Sequence, residues 1–258
     1  MRFVVVGHTE WVHFARVARM PRAGEIVHTS DDWDEAAGGG PVTAMQLLRL
    51  GADVEFHTAL GDDELGQRAA DQFRAQGLRT RVQWRGEPTR RAFTHVDGDG
   101  ERTITVLGEK LLARGPLHLE ADACFFVSGE PAALRSARSA RFLAATAREA
   151  ATLREASVPV ELLVASASDA GERPEGIESA HLVLTDGAAG GTADGRPYAP
   201  APLPGPVADA YGCGDSFAAA LAFALARGDA LADALALAAR AGAAVLTGRG
   251  AFAGQIDA

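Results

Sequence analysis

Asp209-Ala210-Tyr211-Gly212-Cys213-Gly214-Asp215-Ser216-Phe217 sets two glycines and a carboxylate directly before an alanine-rich run that extends to Arg227. Phe217, Leu221, Ala224 and Leu225 recur at the i, i+4, i+7, i+8 spacing of one helical face, so a helix is predicted to begin at this loop. The glycines let the backbone turn tightly and approach a ligand closely. A helix start leaves backbone N–H groups without intrahelical acceptors and carries roughly half a positive charge, which suits phosphate. Asp215 beside such an anion site reads either as a first-turn acid that favours the helix dipole or as a base for an attacking hydroxyl. Phosphoryl transfer needs a cradle for negative charge and an acceptor for the hydroxyl proton, and this loop offers both.

Other loops stand where ligand-binding loops of an open α/β sheet belong. Thr185-Asp186-Gly187-Ala188-Ala189-Gly190 follows the strand-like run His181 to Leu184, and Ser166-Ala167-Ser168-Asp169 follows Glu161 to Ala165. Gly38-Gly39-Gly40-Pro41 precedes a predicted helix; it is either a plain loop or a second anion or hydroxyl site at that helix's start. A Gly-x-x-x-x-Gly-Lys loop is excluded, because the sole lysine, Lys110, follows Glu109. Gly7 lacks the further glycines of a dinucleotide fingerprint, and His8 and His13 are wrongly spaced for two metal ligands on one helical face. Trp11, Trp33 and Trp84 have the surface to stack on a sugar or base, but core or lid packing is the simpler reading of each.

These loops need a frame, and the chain supplies one. Phe3 to Val6, Val54 to Thr58, Phe125 to Ser128, Glu161 to Ala165 and His181 to Leu184 read as strands, separated by helices over Pro41 to Leu50, around Leu65, Ala69 and Phe73, and over Pro131 to Leu153 as one helix or two. Asp229 is a candidate cap for a last helix carrying Leu231, Leu235 and Ala238. Strand alternating with helix predicts a mostly parallel sheet covered on both faces. Thr80 to Trp84, Arg91 to Val96 and Arg102 to Val106 lack intervening helices, and Asp97-Gly98-Asp99-Gly100 turns the last two into a hairpin; with Glu25 to Trp33 they are expected to form a small lid.

The chain has 258 residues, 47% apolar and 23% charged, with 34 acidic and 25 basic residues for a net charge of −9. That composition fits an ordinary folded domain and argues against nucleic acid as a partner. No apolar run reaches the roughly 20 residues of a membrane span, no signal peptide is evident, and Cys124 and Cys213 form no disulfide or zinc pattern, so a cytoplasmic location with reduced thiols is expected.

The loop at 209–217 resembles the Asp-Thr-x-Gly-Ala-Gly-Asp-x-Phe signature of the ribokinase-like sugar kinases, the phosphofructokinase-B family, with matches at Asp209, Gly212, Gly214, Asp215 and Phe217. The resemblance continues at the start of the chain, at Gly38-Gly39, at Gly61 to Gly66, at Asp99 to Thr103, at Leu184 to Gly187 and at Gly250-Ala251. It implies a three-layer α/β/α domain over residues 1–258 with a mostly parallel central sheet and a β lid drawn from 25–33 and 80–106. It implies an ATP-dependent kinase acting on a small sugar or sugar-like alcohol with Mg2+. Gly212, Cys213 and Gly214 would form the anion hole, and Asp215 would be the base. Thr185, Gly187 and Gly190 would contact the nucleotide, and Asp169, where the family has a Glu, would act near the metal through water. Gly38, Gly39 and Glu10 would face the acceptor, and the lid would support a homodimer.

Two hydroxyl-gripping positions of the family are altered. Trp11 or Val12 stands where an Asp is usual, and Val42 or Thr43 where an Asn is usual. An altered acceptor, including a nucleoside, is therefore expected; a non-catalytic sensor of nucleotide or sugar is the alternative.

Overall fold

In the computed structural model, which describes residues 1–258, the chain enters the central sheet with β1 (Arg2–Val6) and leaves it for β2 (Glu10–Arg16) and β3 (Asp31–Ala37). It returns through α1 (Gly39–Arg49), β4 (Asp53–Gly61), α2 (Glu64–Ala75) and β5 (Arg79–Arg85), then adds β6 (Arg91–Val96) and β7 (Arg102–Leu107) to the smaller sheet. Next come β8 (Ala123–Phe126), α3 (Pro131–Ala137), β9 (Phe142–Thr146), α4 (Ala150–Ala156), β10 (Val160–Ser166) and β11 (Ser179–Thr185). The chain ends with β12 (Gly191–Ala193), β13 (Arg196–Tyr198), α5 (Cys213–Arg227) and α6 (Leu231–Val245).

The central sheet has nine strands in the order β13-β12-β11-β10-β9-β8-β1-β4-β5, parallel from β11 to β5, with an antiparallel edge of β12 and β13. Alternate side chains leave opposite faces of a strand, and the apolar residues divide accordingly. Phe3, Val5, Phe125 and Leu162 join a core of 46 buried residues that includes Leu47 of α1, Phe73 of α2, Leu221 of α5 and Ala238 of α6. Val4, Val6, Phe126 and Leu163 join a second core of 17 with Leu134 of α3 and Leu153 of α4. The fold is therefore the expected three-layer arrangement, and the larger core lies beneath the helix whose start carries Asp215. No helix is long and apolar enough to cross a membrane.

The smaller sheet, ordered β3-β2-β6-β7, is the lid, but its membership differs from expectation. Thr80 to Trp84 lies in β5, paired in parallel with β4 at the edge of the central sheet. Its place comes from Glu10–Arg16, which pairs with both β3 and β6. The strand expected near 25–33 begins only at Asp31. Pro131 to Leu153 is not a continuous helix: Phe142–Thr146 forms β9 between β8 and β10. That strand is covered on both faces, so its Ala-rich run lacks the period-2 pattern that separates strand from helix. Asp229 bonds Arg227, and Ala230 takes the cap position of α6.

Candidate active site

β1 has β4 on one side and β8 on the other, so the chain departs in opposite directions from its C-terminal end. Such a reversal opens a crevice where α/β sheets bind ligands. Gly7 and Gly40 close its floor: a Cβ on Gly7 would lie 2.6 Å from Gly40 Cα, and one on Gly40 would lie 2.7 Å from the His8 carbonyl. Only glycine permits that approach. It brings the start of α1 against the end of β1 and places Gly39 beside Asp215, whose Oδ1 would be 2.9 Å from a Gly39 Cβ. Two segments 176 residues apart in the chain are thereby joined at one point.

Gly212, at φ +79°, caps α5 in the left-handed conformation, with Val42 against it. The N–H groups of Cys213, Gly214 and Asp215 find no oxygen acceptor within the protein, and a Cβ on Gly214 would meet nothing within 4 Å. An open, amide-lined space at a 15-residue helix's start is the geometry an anion needs. The loop is tied down from several sides. Buried Asp209 accepts from Tyr211 N at 2.9 Å and Gly250 N at 3.1 Å. Tyr211 Oη accepts from Gly38 N at 3.0 Å. The lid adds Arg16 to the Ala208 carbonyl, Arg102 to the Ala210 carbonyl, and the Gly100 carbonyl to Ala210 N.

Burial raises the pKa of Asp215, and the charges of Arg148 and Arg102 pull it partly back. Burial raises Glu10 too, against the pull of Arg90 and Lys110. The Cys213 thiol is held protonated by burial, and no cysteine pairs with another. His8 accepts or shares a proton with Ser128 Oγ at 2.9 Å, and burial, helped by Lys110, Arg90 and Arg148, keeps its imidazole neutral at physiological pH.

Across the sheet, Thr185 ends β11, and Gly187 at φ +51° has open space beyond its Cα. Gly190 does not share that openness. A Cβ there would lie 2.2 Å from the Tyr198 carbonyl, and its own carbonyl accepts from Asp186 N, so it closes the turn rather than facing a ligand. Depressions of about 410 Å³ and 250 Å³ flank this turn, sharing Ala167 and Leu184. Asp169 is half-exposed, 3.6 Å from Arg148, and bonds Gly171 N. The more buried carboxylate is Glu172, which holds Ser166 N at 2.7 Å and Arg148 at 2.7 Å and whose charge reaches Asp215. Arg148, Glu172 and Arg102 carry no local spacing signal, and only folding reveals their proximity to the loop. No group of three or more metal-ligating side chains converges anywhere. Magnesium bound through nucleotide phosphates keeps several waters and needs only one or two carboxylates, and half-exposed Asp169 fits that limited demand.

The sequence matches the pfkB family carbohydrate kinase description over residues 2–185 and 128–257. The chain belongs to that family. A bifunctional ribokinase/ribose-5-phosphate isomerase A from Fructilactobacillus sanfranciscensis is 26% identical over 132 residues, covering 50% of this chain and 24% of the relative, so the chain spans about a quarter of that relative's length. A putative ribokinase from Agrobacterium tumefaciens has the same fold, with a TM-score of 0.83 at 21% identity over 99% of this chain and 94% of that one. A ribokinase from Cryptococcus neoformans in complex with ADP aligns with a TM-score of 0.76 at 21% identity over 99% and 97%.

Proposed function

We propose that this pfkB family member transfers the γ-phosphoryl group of ATP to a hydroxyl of a small sugar-like alcohol, working as one kinase domain in the cytoplasm. The observation that carries this reading is the juxtaposition of Asp215 with the unpartnered amides of Cys213 and Gly214, beneath Gly39. The acceptor hydroxyl gives its proton to the Asp215 carboxylate, whose raised pKa improves it as a base. The amides hold the charge on the transferring group, with Arg102 and Arg148 adding positive potential. Thr185 and Gly187 would meet the nucleotide, next to the depression lined by Asp186 and Ala189. Magnesium would travel with ATP, neutralise phosphate charge, and meet Asp169 through water. The lid, held by Arg16, Arg102 and Gly100, shields the reacting groups from water and offers β7 as a surface for a second copy. A sensor without catalysis has no use for a buried, costly carboxylate at the anion site.

The test is acceptor-dependent ADP formation with magnesium-ATP across a panel of sugars, deoxy sugars, glycosides and nucleosides, with phosphorylated product identified by ³¹P NMR. Turnover that depends on both acceptor and Asp215 supports the reading. ATP binding without phosphorylation of any acceptor overturns it.

A further inference from the structure

His8 is a buried titratable group at the crevice that phosphoryl transfer leaves unused. It follows Gly7 beyond the C-terminal end of β1, and its carbonyl lies against the start of α1, 3.3 Å from a Cβ placed on Gly38 and 2.7 Å from one on Gly40. Val127, the neighbour of Ser128, shares the Gly39 corner with the reacting carboxylate. A Cβ on Gly39 would lie 2.9 Å from Val127 Cγ1 and 2.9 Å from Asp215 Oδ1. The charges acting on the imidazole are those of Lys110, Arg90 and Arg148, and the charge of Arg148 also reaches Asp215. Each of these cations already has a carboxylate: Glu149 at 2.7 Å, Glu10 at 3.2 Å and Glu172 at 2.7 Å.

The hydrogen bonds of Ser128 decide which ring nitrogen carries the proton. Ser128 is fully buried, and its Oγ has two partners, the His8 backbone N–H at 2.8 Å and His8 Nδ1 at 2.9 Å. The backbone N–H donates, so the Ser128 hydroxyl proton has Nδ1 as its acceptor, and Nδ1 holds a lone pair. A neutral imidazole carries one proton, which is therefore on Nε2. Burial and the three cations disfavour a second one. His8 is 9% exposed, and its Nε2 neither bonds a protein group nor is sealed from solvent. A fixed N–H donor thus stands at the end of β1 with no protein group to receive it. Leaving a buried donor unpaired is costly, so packing alone favours an apolar residue at this position.

Resting on the kinase reading above, we propose that His8 is a specificity-determining residue whose Nε2–H donates to a second oxygen of the phosphate acceptor, a hydroxyl or ring oxygen other than the one that gives its proton to Asp215. The two contacts are complementary. Asp215 accepts from one oxygen and His8 donates to another, so an acceptor is oriented only when it carries both. A neutral donor suits an uncharged oxygen here, because the surrounding cations are already paired with carboxylates.

Two measurements test it. Long-range ¹H–¹⁵N NMR correlation on the wild-type protein near neutral pH is expected to show the His8 proton on Nε2, with that resonance moving when an acceptor is added. A proton on Nδ1, or no movement at saturation, overturns the inference without recourse to any variant. Kinetics with magnesium-ATP then compare D-ribose, D-fructose and adenosine, each with the monodeoxy analogues that keep the phosphorylated hydroxyl, in the wild-type protein, His8→Phe and His8→Gln. For an acceptor that turns over, wild-type kcat/KM is expected to drop at least about tenfold for one deoxy analogue. His8→Phe should lose a similar factor on the parent compound, chiefly in acceptor KM with ATP KM unchanged, and should no longer distinguish the parent from that analogue. His8→Gln keeps an N–H donor and should recover part of the loss. Unchanged kcat/KM in His8→Phe, or a loss that is the same for the parent and every analogue, overturns the inference and leaves the kinase reading intact. Absence of acceptor-dependent turnover in the wild-type protein overturns the kinase reading itself, and the role of His8 with it.

Discussion

The anion loop and the nucleotide turn are both glycine-rich segments after strands of one sheet, yet they are built oppositely. The loop at 208–215 is fastened by Asp209, Tyr211, Arg16, Arg102 and the Gly100 carbonyl, leaving only its outward amides unpaired. The turn at 185–190 is held by backbone bonds of its own, Asp186 N to the Gly190 carbonyl, Ala189 N to the Asp186 carbonyl and Gly190 N to the Gly187 carbonyl, and Gly187 stands in open space. Transition-state charge is stabilised most by dipoles that need not reorganise, so rigidity belongs where the phosphoryl group moves. On the proposed function the turn only holds a nucleotide and tolerates more freedom.

If that contrast is right, damage at the loop should strike kcat and damage at the turn should strike nucleotide KM. Asp215→Asn is expected to lower kcat by ~10²- to 10⁴-fold with nucleotide affinity nearly unchanged, as measured by steady-state kinetics and ATP titration. It should also stabilise the fold. Burial raises the carboxyl's folded pKa, so at pH 7 the ionised group costs stability that the unfolded chain does not lose. The Asn variant should therefore melt at higher temperature near neutrality, and the gain should vanish below about pH 4, where the unfolded carboxyl is also protonated. In the wild-type protein the rate should fall as pH drops through a value above the ordinary carboxylate range.

Gly214→Val is next in size. Its side chain would occupy the open space at the amides rather than strain the backbone, so a loss of ~10²- to 10³-fold in kcat is expected with the melting temperature little changed. Asp209→Asn replaces one of two acceptor oxygens with a donor facing a buried N–H, at a cost of about 1–3 kcal/mol in chemical denaturation and a lower kcat.

Gly187→Ala carries the comparison to the other region. A left-handed backbone with a side chain costs about 1–2 kcal/mol, and nothing blocks the added methyl, so a several-fold rise in ATP KM with kcat retained is expected. If instead kcat collapses, the nucleotide turn is as preorganised as the anion loop and the contrast fails. The smallest effect is expected for Cys213→Ala, because the substitution keeps the backbone N–H that the anion site would use; rates should match wild type within about twofold.

Much of this was legible in the chain. The helix at Phe217 to Arg227, the glycines that open it, and the alternation of strands and helices followed from periodicity and backbone freedom, which are local properties. The misreadings share one cause. Thr80 to Trp84 and Phe142 to Thr146 are strands whose place depends on which neighbour they pair with, and pairing is non-local. Glu10 to Arg16 is not legible as a strand because Trp11 and Ala15 are buried on its outer face as well, which hides the alternation of a half-exposed strand.

The sequence by itself determined that a helix start with free amides would stand beside Asp215, because glycine at 212 and 214 and the apolar stripe after them permit little else. Only the tertiary structure decided what surrounds that carboxylate. Gly39, Arg102, Arg148 and Glu172 arrive from four separate elements, drawn together by sheet order and by the close approach of Gly7 to Gly40. Which of Trp11 and Val12 faces the 208–211 loop was likewise decided by strand register, since a shift of one residue in β2 would exchange that face for the one that meets α2.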